Sequence, residues 1–162
     1  MRVAFGITSL VKGLSTWGID GIGIYTKELY ARLPKWGVSS ILPVTFGTCG
    51  KVPGLDNVTP VGGFSWNAGL SMILDRPFMG CQEKFRGVDL FHSPDHRIPN
   101  LGKLPVIATI HDVIFIEYPE WTSFRYPDLM ASMFKRSAKW AHKIITVSEY
   151  SKGKITFIIR VD

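Results

Sequence analysis

The stretch Val106–Trp121, VIATIHDVIFIEYPEW, decides the fold. An apolar, β-branched run stops at His111 and Asp112 and then resumes. A strand buried on both faces of a parallel sheet reads as a continuous apolar run. Two ionisable side chains fit such a run only where the strand ends. In open α/β sheets, ligands gather beyond the carboxyl ends of the strands. The interruption therefore predicts a strand that finishes on a ligand-bearing rim.

Working outward, the same pattern recurs. Arg2–Thr8 reads as a first strand. After the loop TWGIDGIG, Ile22, Tyr25, Leu29, Leu33 and Trp36 recur at steps of three and four, which predicts one helix face closed by Pro34 and Gly37. SSILPVTFG is a second strand, in which Pro43 points to the sheet edge or a bulge. Residues 47–63 are rich in Gly and Pro, with a short strand expected at Val58–Val61. Ser65–Arg86 carries one or two helical pieces broken at Pro77 and Gly80. VDLFHS and KIITVS are further strands, and Ser148 opens a last helix. Tyr126–His142 is amphipathic, its inner stripe running from Tyr126, Leu129 and Met130 through Met133 and Phe134 to Ser137, Trp140 and Ala141. Asp128, Lys135, Arg136, Lys139 and Lys143 face outward. Strands alternating with helices predict an α/β fold, an open doubly wound, mainly parallel sheet with helices on both faces. No internal repeat or low-complexity linker interrupts it.

The 162 residues, 46% of them hydrophobic, suffice for one domain with a substantial core. Cys49 and Cys81 lie far apart without a Cys or His at ligand spacing, which argues against zinc or a disulfide framework and fits a reducing compartment. The N-terminus lacks a small-residue cleavage site, and no apolar run nears the roughly 20 residues that span a bilayer. A soluble cytoplasmic protein is expected. The formal charge of +6 has its basic residues Arg125, Lys135, Arg136, Lys139, Lys143, Lys152 and Lys154 in the last quarter. They read as a solvated helix face, or as a patch for peripheral contact with the inner face of a membrane. No nucleic-acid-binding module is present, so nucleic acid is not an expected partner.

Four strand ends bring polar groups to one rim: the glycine loop after the first strand, His92 with Ser93, His111 with Asp112, and Ser148 with Glu149. Gly18, Gly21 and Gly23 at a helix mouth would let a ligand approach the backbone, or form a plain turn. The loop lacks the third glycine of the dinucleotide fingerprint, the second strand ends without an acidic residue, and there is no Walker lysine. A nicotinamide dehydrogenase and a P-loop nucleotidase are therefore disfavoured. His111 is placed to hydrogen-bond a substrate or act as acid or base, or else to tie down its loop. Asp112 would bind substrate, hold His111 or cap the loop. His92 with Ser93 would wall the same pocket or be satisfied internally, and Asp95, His96 and Arg97 would reach in from the next loop. Ser148 is an N-cap whose helix start is compatible with an anionic or hydroxyl-rich ligand. Pro119 and Trp121 pack a loop beside the site. No nucleophile–base pair, carboxylate pair or metal cluster stands out.

Taken together, GIDGIGIYTKELYARL, FHSPDHRIP, VIATIHDVIFIEYPEW and KWAHKIITVSEYSKGKI resemble, in order and spacing, the retaining glycosyltransferases of the GT-B fold. The similarity is to the bacterial and archaeal group of mannosyl- and glucosyltransferases of polysaccharide assembly, and it covers residues 1 to about 155. It implies a nucleotide-sugar donor, a glycan or lipid-linked acceptor, and two Rossmann-like domains facing a cleft. By that likeness residues 1–155 are the mainly acceptor-binding N-terminal domain and 156–162 begin the interdomain connection, with the donor-binding domain absent from this chain. Gly21 and Gly23 would approach the donor diphosphate. His111 would be the catalytic contact to the transferred sugar or acceptor hydroxyl. Asp112, His92, Asp95 and Ser148 would serve the acceptor or sugar. No metal or other cofactor is expected. The full-length protein would be a hexosyltransferase and this chain alone inactive. The alternative is a non-catalytic subunit that pairs in trans with a donor-binding chain. A flavodoxin-like module is disfavoured because the first strand ends without acids.

Overall fold

The run that ends before His111 is a strand, β5 (Val106–Ile110), in a computed structural model that describes residues 1–16, 18–47, 54–55 and 57–160. It lies in a six-stranded sheet with β1 (Arg2–Gly6), β2 (Ser40–Phe46), β3 (Thr59–Val61), β4 (Leu90–Ser93) and β6 (Lys143–Thr146). The order is β3-β2-β1-β4-β5-β6, and every neighbouring pair is parallel. The chain starts in the centre, builds one half outward through β2 and β3, then returns to build the other through β4, β5 and β6. This reversal between β1 and β4 is the switch point at which open sheets part to make a crevice. The architecture is a Rossmann-like α/β fold.

Helices cover both faces. Between β1 and β2 lie α1 (Thr8–Leu14) and α2 (Gly21–Arg32), which pack Leu10, Leu29 and Tyr30 on Phe5 and Ile7. The larger core lies on the opposite face. Ala4, Val44, Phe91 and Ala108 meet Ala68 of α3 (Phe64–Leu74), Cys81 of α4 (Cys81–Lys84), Phe134 of α6 (Pro127–Ala138) and Ile155 of α7 (Glu149–Ile155). The short α5 (Ile114–Glu117) follows β5. Its Glu117 pairs with Lys154, which ties α5 to α7. Among the described residues no helix is long and apolar enough to cross a membrane.

Several details differ from the sequence reading. The helix expected to carry Trp36 ends at Arg32, and Leu33–Trp36 winds as a tighter 3₁₀ turn closed by left-handed Gly37. Three residues per turn rotate Trp36 out of the stripe, and it is 83% exposed. Pro43 sits one strand inside the edge. Val44 O accepts from Ile7 N, so main-chain alternation turns Pro43 towards β3, whose pairing begins only at Val44. The missing donor thus costs no ladder bond. In α6 the helix starts at Pro127, because a residue before proline is pushed from helical geometry and proline itself suits the first turn. Tyr126 precedes the helix and is exposed. Leu129 falls one step outside the seam of Met133, Phe134, Ser137 and Ala138 and is exposed too. The helix stops at Ala138, short of His142, which is pinned to the start of β5: Val106 N donates to His142 Nδ1 and His142 N to Val106 O. Of the closing apolar residues, Ile159 is buried and Phe157 is exposed. Trp17, Cys49, Val161 and Asp162, which figured in the sequence reading, lie outside the described residues.

Candidate functional site

The rim is built from the loops after β1, β4 and β5. Beyond β4, Ser93 Oγ bonds the carbonyls of Asp95 and Arg97, both at 2.9 Å, and curls the loop back on itself. The turn buries the Asp95 carboxylate, which accepts from Arg97 N at 2.9 Å on one oxygen. Its other oxygen accepts from Ser9 Oγ at 2.8 Å and from the Arg97 guanidinium, which also reaches Ser9 Oγ at 3.2 Å. Ser9 follows β1, so this clasp closes the switch point from both sides.

His111, directly after β5, is half-buried. Its Nε2 donates to the Pro94 carbonyl at 3.0 Å. A carbonyl can only accept, so the neutral ring carries its proton on Nε2 and presents Nδ1 as an acceptor. The ring stands edge-on to Tyr25 of α2, with centroids 4.9 Å apart. The Tyr25 hydroxyl lies 3.2 Å from Thr109 Oγ1, and that oxygen is 3.0 Å from His92 Nε2. His92 lies beneath the rim, edge-on to Phe5. Burial lowers its pKa to about 4, so it is neutral at ordinary pH.

A cavity of about 350 Å³ opens beside the clasp. Ser9, Asp95 and Arg97 form its polar end. Phe64, Ala68 and Met72 come from α3, and Met130, Met133 and Phe134 from α6. Phe115 and Phe124 complete the apolar wall. His96 lies against the Phe115 and Phe134 rings, at centroid distances of 5.6 and 5.4 Å. Its Nε2 is sealed from solvent without a hydrogen-bond partner. Burial lowers its pKa, although the nearby carboxylates of Asp95 and Asp112 oppose that shift. Among the described residues no group of three or more His, Cys, Asp or Glu side chains could hold a metal ion.

The chain matches the model of Glycosyltransferase Family 4 over residues 19–159, most of its length. It belongs to that family. No curated protein matches it.

In this Glycosyltransferase Family 4 domain, the residues singled out from sequence divide between the cavity and its surroundings. Asp95, with His96 and Arg97, lines the cavity, whereas His111 is outside its lining and bonds the carbonyl of Pro94, the residue before Asp95. His92 is outside the wall, held by Thr109 in the sheet. Asp112 turns to its own loop, where Oδ1 accepts from Ile114 N at 3.1 Å. Ser148 caps α7, accepting from Ser151 N at 3.1 Å. Gly23 donates its N–H to the Asp20 carboxylate at 2.7 Å, and a Cβ there would come within 2.5 Å of Ile19 Cγ2. Close packing therefore accounts for Gly23, while Gly21 faces open space. From this loop it is Asp20 and Ile22 that reach the cavity.

Sequence reasoning missed Ser9, Phe64 and Phe115 as wall residues. Ser9 was accessible to the same strand-end logic that found His111. Phe115 lies in the apolar resumption after Asp112, which reads as core because an apolar cavity wall and a core share one composition.

Proposed function

We propose that this domain is the mainly acceptor-binding, N-terminal half of a retaining glycosyltransferase. It would act in moving a hexosyl group from a nucleotide sugar to a hydroxyl of a glycan or lipid-linked acceptor. The observation that carries the reading is the Ser9–Asp95–Arg97 clasp opening on a cavity at the β1/β4 switch point, in a chain of this family. In the reaction the acceptor oxygen bonds to the sugar's anomeric carbon as the bond to the diphosphate oxygen breaks, and the acceptor proton leaves. His111 is assigned to the reacting centre, where Nδ1 can accept a hydroxyl proton or hydrogen bond. Gly21 lies open to an approaching diphosphate. Gly23 contributes by packing, since its amide is engaged by Asp20. Charge on the leaving diphosphate would be met by cationic side chains and helix N-termini without an obligatory metal. The rest of the donor site belongs to a second domain in this reading.

The native gene product containing this domain, given labelled nucleotide sugars and the cell's own lipid and glycan extract, tests it. Transfer of label is expected, and His111→Ala should lower turnover at least about 100-fold, on the scale of a lost acid–base group, with the urea midpoint nearly unchanged. Absence of transfer from every donor rejects the reading, and near-normal turnover of the variant removes His111 from the reacting centre.

A further inference from the structure

Most polar atoms of the cavity's inner end are engaged within the protein, and those left open are Ser65 Oγ, the second Asp20 oxygen and the remaining Arg97 N–H groups. Both Asp95 oxygens are occupied by Ser9, the Arg97 guanidinium and Arg97 N. Ser137 Oγ donates to Phe134 O at 3.0 Å, and one Asp20 oxygen is taken by Gly23 N. His96 Nε2, which has no hydrogen-bond partner, is shut away from solvent. A sugar ring brings several hydroxyls into a site, and each loses its water there. The open partners are few and most of the wall is apolar, so a ring of hydroxyls buried against it would leave most of them unpaired at a cost in free energy. Charge points the same way. Arg97 is the wall's cation, and Asp95 neutralises it while Asp20 adds a carboxylate. A phosphate placed here would find no unpaired positive charge.

What the wall does offer is phenyl rings and three methionines, whose unbranched thioethers adapt to apolar shapes. Phe124 both lines the cavity and is 45% exposed, so it marks an apolar mouth. At the inner polar end, Arg97 keeps donors beyond those committed to Asp95 and Ser9, enough for one neutral oxygen.

We infer that this cavity receives an uncharged apolar group, alkyl or aromatic, carried by the acceptor next to the hydroxyl that takes the sugar. The acceptor is thereby a hydrophobic glycoside or lipid-borne alcohol and not a free polysaccharide end. This deepens the glycosyltransferase reading and rests on it for the word acceptor; the occupancy of the cavity does not.

Methionine-methyl NMR tests the occupancy without a donor. Met72, Met130 and Met133 line the cavity, while Met1 and Met79 are exposed elsewhere and serve as internal controls. The chain is titrated with n-octyl β-D-glucopyranoside below its micelle concentration, with phenyl β-D-glucopyranoside, and with D-glucose. Saturable shifts at the three cavity methyls with a hydrophobic glucoside, and none with glucose, are expected. A response to the octyl compound alone identifies a lipid chain as the group, and to the phenyl compound alone an aromatic one. Met130→Trp, which narrows the cavity, should weaken binding at least tenfold. Phe124→Ser, at an exposed position, should weaken it in the same direction if Met130→Trp fails to fold. Equal response to glucose, shifts confined to Met1 and Met79, no shift at all, or variants that bind like the parent overturn the inference. Cavity shifts without any sugar transfer by the native product would instead overturn the enzyme reading and leave the apolar site standing.

Discussion

Tyr25 joins two histidines that the sequence places at different strand ends. Its ring edge supports His111, and its hydroxyl reaches Thr109, which in turn holds His92. A tyrosine read as part of a helix's inner stripe thus has a second task, orienting the imidazole at the rim. Helical periodicity reports which face is buried and is silent about what the far end of a long side chain meets. Under the proposed role of His111, Tyr25→Phe keeps the ring contact and loses the hydroxyl bond. Turnover should fall by roughly three- to tenfold, or up to about 1.4 kcal/mol of barrier. Tyr25→Ala, which also frees the ring, should cost more. Steady-state rates of the native product across pH decide it. A purely structural tyrosine would lower the melting temperature while leaving turnover per folded molecule and its pH profile intact.

The loop from Gly18 to Gly23 joins an open glycine, Gly21, to a tightly packed one, Gly23. Asp20 caps α2, and its carboxylate holds the Gly23 amide that a phosphate would need. Ile19 packs in the smaller core and lies where a Cβ on Gly23 would go. Gly23→Ala should therefore destabilise the chain by about 1–3 kcal/mol, as overpacking does. Gly21→Ala, with nothing within 4 Å, should change stability by no more than about 0.5 kcal/mol. Urea denaturation of the two variants separates them, and equal effects would contradict the packing account. At this scale the strands, their alternation with helices and the Ser148 cap were legible, because each is written in local pattern: apolar runs, 3.6-residue spacing, a capping serine before a helix. Helix ends were less so, and the short α1 directly after β1 was not legible. Trp36 left its stripe because a 3₁₀ turn changes the residues per turn, and Leu129 because it falls one step outside the α6 seam, neither of which composition records.

At the scale of the whole molecule, the switch point sets what the sequence could and could not show. That polar residues would collect at strand ends followed from a parallel sheet alone. Which of them would meet across β1 and β4 depended on the loop after β4 curling through Ser93, and that brought Ser9, Asp95 and Arg97 together while leaving His92 below. The same burial gives the fold a pH signature. His92 is held neutral with a pKa of about 4, against 6.5 for the free side chain, and burial shifts His96 in the same direction. Between those values the unfolded chain binds protons that the folded chain refuses, so stability is full above pH 6.5 and falls as pH drops towards 4. His92 alone accounts for roughly 3 kcal/mol of that loss at most, at 1.36 kcal/mol per unit. Urea midpoints at pH 7 and pH 5 should show the decline. His92→Gln, which keeps an amide near Thr109 but does not titrate, should start less stable and lose less on acidification. A decline of the same size in the variant would move the pH dependence from His92 to other groups, with His96 the next to replace.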